Sequence, residues 1–317
     1  MTAPTPKFAD LPLIGDTGER HAWDVWGRDD ELGSLNRIGP QQVRDATRCV
    51  RTGRVIPLTL PLDEPAPGLF PNRVPFRHEV EVSRTGRDDK VDDFFLQFSS
   101  QWDGLRHIRY REFGYWGGRS EDDLDASGDL GIDRWAERGP IGRGVLVDVA
   151  RHLAERGTPL VPDEKTEIGP ALIEEVLAAE GAALRPGDVL ILRTGWMEWY
   201  RGLPAADRDR MRGTVGKSLA CPGLDAAQET AGFLWDRGVA GVAVDNVACE
   251  ALPVEKPKGF QHRRLIPLLG MAVGEFWWLP ELAEHCAATG HHDVLLVSAA
   301  LRVPSGVGSP ANALAVV

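Results

Sequence analysis

The chain has 317 residues, of which 26% are charged, and its formal net charge is −11. Its basic residues form no long run, so neither a nucleic acid nor an anionic membrane is expected as a partner. No apolar stretch is long enough to span a bilayer, and the N-terminus lacks a signal-peptide pattern. The four cysteines form no Cys-x-x-Cys pair. We therefore expect a cytoplasmic protein with neither a disulfide framework nor a zinc knuckle.

The N-terminal half contains few regular patterns. Residues 1–38 are rich in Pro, Gly, Asp and Trp, which predicts an irregular arm, and residues 39–317 are interpreted as one domain because nothing marks a linker. Residues 109–143 are Gly-rich and predict a long functional loop, often a lid. The elements predicted between them are a helix from Gly39-Pro40 to about Val50 and strands over 55–60, 76–83 and 91–98, the first at a sheet edge because of Pro57.

The C-terminal half alternates apolar strand-like runs with amphipathic segments, which predicts an α/β fold. The predicted strands are 144–149, 187–192, 239–244, 271–273 and 294–298, and the predicted helices are 168–180, 224–237 and 279–289. In open α/β sheets the carboxyl ends of the strands face the ligand crevice. Asp245 and Glu250 follow one such strand and could contact a substrate, although Asp245 could equally cap a turn.

The segment from Gln97 to His107 concentrates polar side chains. It reads Gln97-Phe-Ser-Ser-Gln-Trp-Asp-Gly-Leu-Arg-His107. Asp103 and His107 are close enough to share a divalent metal, or the carboxylate could orient the imidazole as a general base. A hydrogen-bonded loop in which Asp103 caps a turn is the alternative. Downstream, His262 and Glu275 flank an apolar run and could both reach the same site.

These motifs resemble, in chain order, those of the cyclase family of metal-dependent hydrolases, which includes bacterial kynurenine formamidase and isatin hydrolase. The family pattern His-x-Gly-Thr-His-x-Asp-x-Pro-x-His falls on residues 97–107, where Asp103 and His107 are retained and Gln97 and Gln101 replace imidazoles. The chain is most similar to a bacterial subgroup with Gln-Trp-Asp-Gly/Ala-Leu-x-His. Further matching segments are Asp30 to Asn36, Gly187 to Trp196, Pro222 to Leu224, Val242 to Asp245, His262 to Glu275 and Gly306 to Asn312.

The resemblance implies a swivelling β/β/α-type cyclase fold with a mixed, partly closed β-sheet flanked by helices. It also implies a metal site, since in the family the Asp, the distal His and the distal Glu bind one of two metals. An amide oxygen is a poorer zinc ligand than imidazole. We therefore expect one divalent ion, Zn²⁺ or Mn²⁺, held by Asp103, His262, Glu275 and Gln101. A metal-free polar cluster is the alternative.

The implied activity is metal-dependent hydrolysis of an amide, lactam, lactone or ester bond in a small cyclic or aromatic molecule. His107 and Asp103 are the expected catalytic residues, with His107 as the acid/base group. The residues expected to contact the substrate are Gln97, Trp102, Tyr115, Trp116, Asp245 and Glu250. Alternatives are a cyclase or lyase of natural-product metabolism that uses the same site, and a metal-free ligand-binding relative. Family members are usually homo-oligomers, so a dimer or tetramer is expected.

Overall fold

A nine-stranded sheet lies at the centre of the computed structural model, which describes residues 5–317. The strands are β1 (Val55–Pro57), β2 (Arg77–Val82), β3 (Arg87–Asp92), β4 (Gln101–Asp103), β5 (Ile141–Asp148), β6 (Glu167–Ile168), β7 (Val189–Arg193), β8 (Gly223–Leu224), β9 (Gly241–Val244), β10 (Ala272–Glu275), β11 (Asp293–Ser298), β12 (Gly308–Pro310) and β13 (Ala313–Val316). The helices are α1 (Pro40–Ala46), α2 (Glu121–Ser127), α3 (Ile132–Arg138), α4 (Val149–Glu155), α5 (Pro170–Ala179), α6 (Trp196–Gly202), α7 (Ala205–Met211), α8 (Gln228–Asp236), α9 (Gln261–Leu265) and α10 (Pro280–Thr289).

The main sheet is mixed and not fully closed. Its strand order is β1-β13-β11-β5-β7-β9-β10-β4-β12, so β1 and β12 are the two edges. The central strands β5, β7, β9 and β10 run parallel, and the flanking pairs are antiparallel. This architecture confirms the predicted α/β fold with a mixed, partly closed sheet flanked by helices.

The central strands form from continuous apolar runs because both faces of a parallel sheet are covered. Every residue of β9 is buried, as are four of the five residues of β7. Helix α5 begins with a proline, where the missing N–H costs nothing, and it buries Ile173, Val176 and Leu177. The predicted strands at 144–149, 187–192, 239–244 and 294–298 and the predicted helices at 168–180 and 279–289 are confirmed to within a few residues.

Several predicted elements are wrong. The strand predicted at 91–98 is instead β3, which ends at Asp92 because Asp93 adopts a φ of 56°. Strand β3 pairs with β2 in an exposed hairpin. The loop predicted over 109–143 contains α2 and α3, and Ser120 caps α2 in a reciprocal capping box with Asp123. The helix predicted to begin at Leu224 begins at Gln228, after β8. The predicted C-terminal tail forms β12 and β13 instead.

The N-terminal segment packs against its own chain. Within residues 5–38, the Ala22 amide donates to the Leu268 carbonyl at 2.8 Å, and the Trp23 indole donates to the Pro267 carbonyl at 2.6 Å. Gly33, with a φ of 57°, lies against Gly270 where a side chain would clash. The segment therefore fixes the loop between α9 and β10.

Strand β4 is held on both sides. It pairs with β10 so that Gln101 lies opposite Glu275, and with β12 so that Asp103 lies opposite Gly308. Residues of the central motif are thereby anchored next to the carboxyl ends of β9 and β10, where parallel strands present ligand sites. None of the helices formed by residues 5–317 has the length and apolar character needed to cross a membrane.

Candidate active site

Strand β4 supplies two polar side chains to one face of the sheet. Alternate residues of a strand point to the same side, so Gln101 and Asp103 face together while Trp102 faces away. Both polar residues are fully buried. The Gln101 amide nitrogen donates to Oε2 of Glu275 at 2.8 Å across the β4–β10 pair. Asp103 and Glu275 are thus brought to adjacent positions by strand register.

His262 on helix α9 contacts carboxylates through both ring nitrogens. Its Nε2 lies 2.9 Å from Oε1 of Glu275 and 3.7 Å from Oδ2 of Asp103. Its Nδ1 lies 3.0 Å from Oε1 of Glu250, which is fully buried in the loop after β9. Phe260 stacks on the imidazole at a centroid distance of 5.1 Å and an interplanar angle of 13°. The ring is therefore fixed in position and orientation.

His107 follows β4 and faces the same cluster, with 22% of its side chain exposed. Its Nε2 lies 3.8 Å from Oδ1 of Asp103, and its Nδ1 lies 3.0 Å from the amide nitrogen of Gln97. The same Gln97 nitrogen donates to Oδ1 of Asp103. Because an amide nitrogen can only donate, neutral His107 accepts at Nδ1 in this arrangement and carries its proton at Nε2.

The three carboxylates set the charge of His262. Burial lowers the pKa of His262, but the charge of Glu250 and the neighbouring carboxylates of Asp103 and Glu275 raise it well above the ordinary value. Burial and the charge of Asp103 together raise the pKa of Glu275. For Asp103, burial raises the pKa, but the neighbouring His107 and His262 outweigh it and hold the pKa below its usual range. The cluster concentrates negative charge that requires a positive partner.

His107 differs from His262 in its charge. Burial lowers the pKa of His107, and the charge of His262 lowers it further, against the opposing effect of Asp103. A neutral imidazole at the edge of the site can accept a proton, whereas His262 is held by acidic partners. The two histidines therefore suit different roles.

The buried donor atoms fit a divalent cation. Ligand atoms of Asp103, His107 and His262 all lie within 4.8 Å of one another. Oδ2 of Asp103 and Oε1 of Gln101 are buried and have no hydrogen-bond partner within residues 5–317, so each has lone pairs free for a cation. Glu275 adds a carboxylate beside His262. Among the ligands expected from the sequence, Asp103, His262 and Glu275 converge, and Gln101 lies beside them.

A cavity of about 650 Å³ opens onto this cluster, and His107, His262 and Glu275 form its polar floor. This volume suits a small-molecule site. Ten apolar side chains line its wall, namely Phe70, Ile108, Tyr110, Val215, Val247, Ala248, Leu252, Pro253, Val254 and Phe260. These residues come from four separate segments and carry no motif, so the sequence alone does not assign them to one pocket.

Four residues expected to contact the substrate do not line the cavity. Trp102 points to the opposite face of β4, packs on Trp277 at 5.0 Å and donates to Ser298. Trp116 donates to Asp30, and the Tyr115 hydroxyl donates to Glu121. Asp245 accepts from the Thr194 and Gly195 amides and so fixes a turn, which was the alternative for this residue.

Two further expected contacts have other partners in the structure. Glu250 contacts His262 and is itself inaccessible. Gln97 contacts His107 and Asp103 and does not line the cavity. Both residues therefore orient groups of the cluster. For Trp102, the alternation of side chains along a strand is the sequence signal that would have predicted an orientation away from the cluster.

Comparisons with known proteins find matches over most of the chain. The model of the Cyclase family, described as "Putative cyclase", matches residues 56–251, more than half of the chain. The crystal structure of a protein described as a novel cyclase is 33% identical, with a TM-score of 0.81, and the match covers 94% of this chain and 99% of that chain. A search of curated proteins gives no match.

Two isatin hydrolases share the fold. Isatin hydrolase A from Labrenzia aggregata, bound to benzyl benzoate, is 20% identical, with a TM-score of 0.59 and coverage of 89% of this chain and 98% of that chain. An isatin hydrolase bound to the product analogue thioisatinate is 15% identical, with a TM-score of 0.57 and coverage of 88% and 99%. At these identities the likeness concerns the fold alone.

Proposed function

Because this chain belongs to the cyclase family, we propose that it is a metal-dependent hydrolase that cleaves an amide, lactam, lactone or ester bond of a small cyclic or aromatic molecule. The observation that supports this most directly is the convergence of Asp103, His107, His262 and Glu275 at one cavity, whose floor is formed by His107, His262 and Glu275. Such a cavity binds an apolar body and presents its reacting bond to acid/base groups.

Asp103, His262 and Glu275 would hold one divalent ion, with Gln101 Oε1 as a neutral fourth donor. When bound, the ion would polarise the substrate carbonyl and lower the pKa of a coordinated water. Two carboxylates, an imidazole and an amide oxygen suit Zn²⁺ or Mn²⁺. Glu250 holds Nδ1 of His262 and so directs Nε2 toward the other ligands.

His107 is the proposed acid/base residue. With the Gln97 amide nitrogen donating to Nδ1, neutral His107 carries its proton at Nε2 and is not yet a base there. Rotation of the Gln97 amide would turn its oxygen toward Nδ1–H and leave Nε2 of His107 with a free lone pair. Asp103 would then lose the Gln97 donor, which a divalent ion held by Asp103 would replace. In that state His107 would take the water proton at Nε2 and return it to the leaving group.

The test is turnover with product analysis. Purified protein is assayed against small lactones, lactams, aryl esters and aryl amides, as purified, after chelation and after reconstitution with Zn²⁺ or Mn²⁺. We expect metal-dependent turnover and, in H₂¹⁸O, one solvent oxygen in the acid product. Turnover without solvent oxygen would instead indicate a cyclase or lyase, and turnover unaffected by chelation would refute the metal requirement.

A further inference from the structure

The cavity carries an excess of unpaired positive charge. Its lining includes four basic side chains that form no ion pair with the described residues 5–317, namely Arg73, Arg111, Lys256 and Arg263. The remaining arginine of the lining, Arg264, is neutralised by Glu19. A chain with a net charge of −11 therefore directs a positive patch at its proposed substrate site.

The acids of the cavity do not balance this patch. Glu19 and Glu275 are the carboxylates of its lining. Glu19 is committed to Arg264, and Glu275 is committed to His262 and Gln101. Exposed cations at a rim are often only hydrated. Here three of the four lie over aromatic rings of the cavity wall, Arg73 over Phe70, Arg111 over Tyr110 and Arg263 over Phe260.

Arg73 is the best placed of the four. It is half-buried, and its guanidinium lies 4.4 Å from the centroid of Phe70. One terminal nitrogen donates to the Gln97 carbonyl at 2.7 Å, which ties the side chain to the segment that contacts His107. Its Nε and second terminal nitrogen have no hydrogen-bond partner among the described residues. A planar guanidinium with free parallel donors is suited to bind a carboxylate in a bidentate manner.

We propose that the substrate of this site is an anion, with an apolar, planar body against Phe70 and Phe260 and a carboxylate held by Arg73. Calling this anion a substrate rests on the proposed function, whereas its binding can be measured without turnover. Arg111, Lys256 and Arg263 at the rim attract the anion, and Arg73 orients it so that its scissile acyl bond faces His107. The carboxylate at Arg73 is distinct from the acid that hydrolysis releases at the cavity floor.

The experiment compares two ligands of nearly the same shape and different charge, 2-naphthoate and 2-naphthamide, by isothermal titration calorimetry. Each is titrated into the wild-type protein as purified and after chelation with EDTA, since a carboxylate could otherwise bind a metal. We expect the carboxylate to bind at least about tenfold more tightly in both preparations, as one charged hydrogen-bonded pair provides. Wild-type protein that lacks this preference, or shows it only before chelation, overturns the proposal.

Variants assign the preference to Arg73. Arg73→Gln should lose most of it, and Arg73→Lys should keep part of it because the charge remains. Arg84→Gln, at the exposed tip of the β2–β3 hairpin, is the matched control and should bind like the wild type. If folded Arg73→Gln, checked by circular dichroism, keeps the full preference, Arg73 is not the anion site. Absence of hydrolytic turnover would refute the proposed function and leave this result standing.

Discussion

The Nδ1 atom of His262 lies 3.0 Å from Oε1 of Glu250, and its opposite nitrogen lies 2.9 Å from Oε1 of Glu275. One imidazole is thus held between two buried carboxylates from different parts of the fold. Glu250 lies in the loop after β9, where it bridges to Leu224 of β8, and Glu275 ends β10. Glu250 is therefore a positioning residue that acts through His262.

Glu250→Gln tests this relationship. The glutamine keeps the shape but removes the charge that fixes His262, so we expect metal affinity to fall by roughly 10–100-fold. The measurement is competition of Zn²⁺ against a chromogenic chelator. Glu229→Gln, an exposed residue of α8, is the control and should leave metal affinity unchanged. Unaltered affinity in Glu250→Gln would show that His262 needs no such support.

Metal content should be about one ion per chain or less. Gln97 and Gln101 stand where the family has imidazoles, and in this structure the Gln97 amide donates to Asp103. A neutral amide supports zinc poorly, so a second ion lacks ligands. Elemental analysis of the purified protein measures the ratio. Two ions about 3.5 Å apart, as in two-metal hydrolases, would contradict this prediction.

His107→Ala should lower turnover by roughly 10²–10⁴-fold, as expected for loss of an acid/base group. Folding and metal content should remain nearly intact, since Asp103, His262 and Glu275 are retained. Initial rates and elemental analysis are compared with those of His78→Ala, which changes an exposed histidine of the hairpin. If metal content falls in step with turnover, His107 is a ligand, as its distance from Asp103 and His262 would also allow.

Gly33→Ala should destabilise the protein more than Gly53→Ala. Both glycines have positive φ, 57° and 76°, so an added Cβ strains the backbone in each case. Only at Gly33 would the Cβ also clash with the Gly270 carbonyl, whereas nothing lies within 4 Å at Gly53. We expect an extra loss of about 1–3 kcal/mol in Gly33→Ala. Urea denaturation gives the two free energies of unfolding, and equal losses would show that the segment adapts.

The strands of the sheet that are buried on both faces could be predicted from the sequence. Strands β5, β7 and β9 appear in the sequence as apolar runs, because both faces of each strand are buried. Strand β4 was not recognised, since three residues with two polar side chains show no run. Its polar residues are buried only because β10 and β12 pair with it, and such long-range pairing leaves no local signal.

The candidate site was predictable only in part. Asp103, His107, His262 and Glu275 were singled out through a family resemblance, and the structure brings them together. The contact between Glu250 and His262 depends on how the loop after β9 meets α9, which no spacing in the sequence specifies. Arg73 belongs to a segment without periodicity, so only the folded cavity shows its position.

The place of β12 in the sheet has a consequence for the order of events during synthesis. Strand β12, residues 308–310, is the second strand that pairs with β4, which carries Asp103. Strand β13 then pairs with both β1 and β11. After residues 97–107 have been synthesised, some two hundred further residues must follow before β4 can pair with β12. Until then the polar motif and the apolar face behind it remain exposed, where they can misfold or bind chaperones. Premature termination a few residues before Gly308 would therefore be expected to yield aggregate instead of a slightly weakened enzyme.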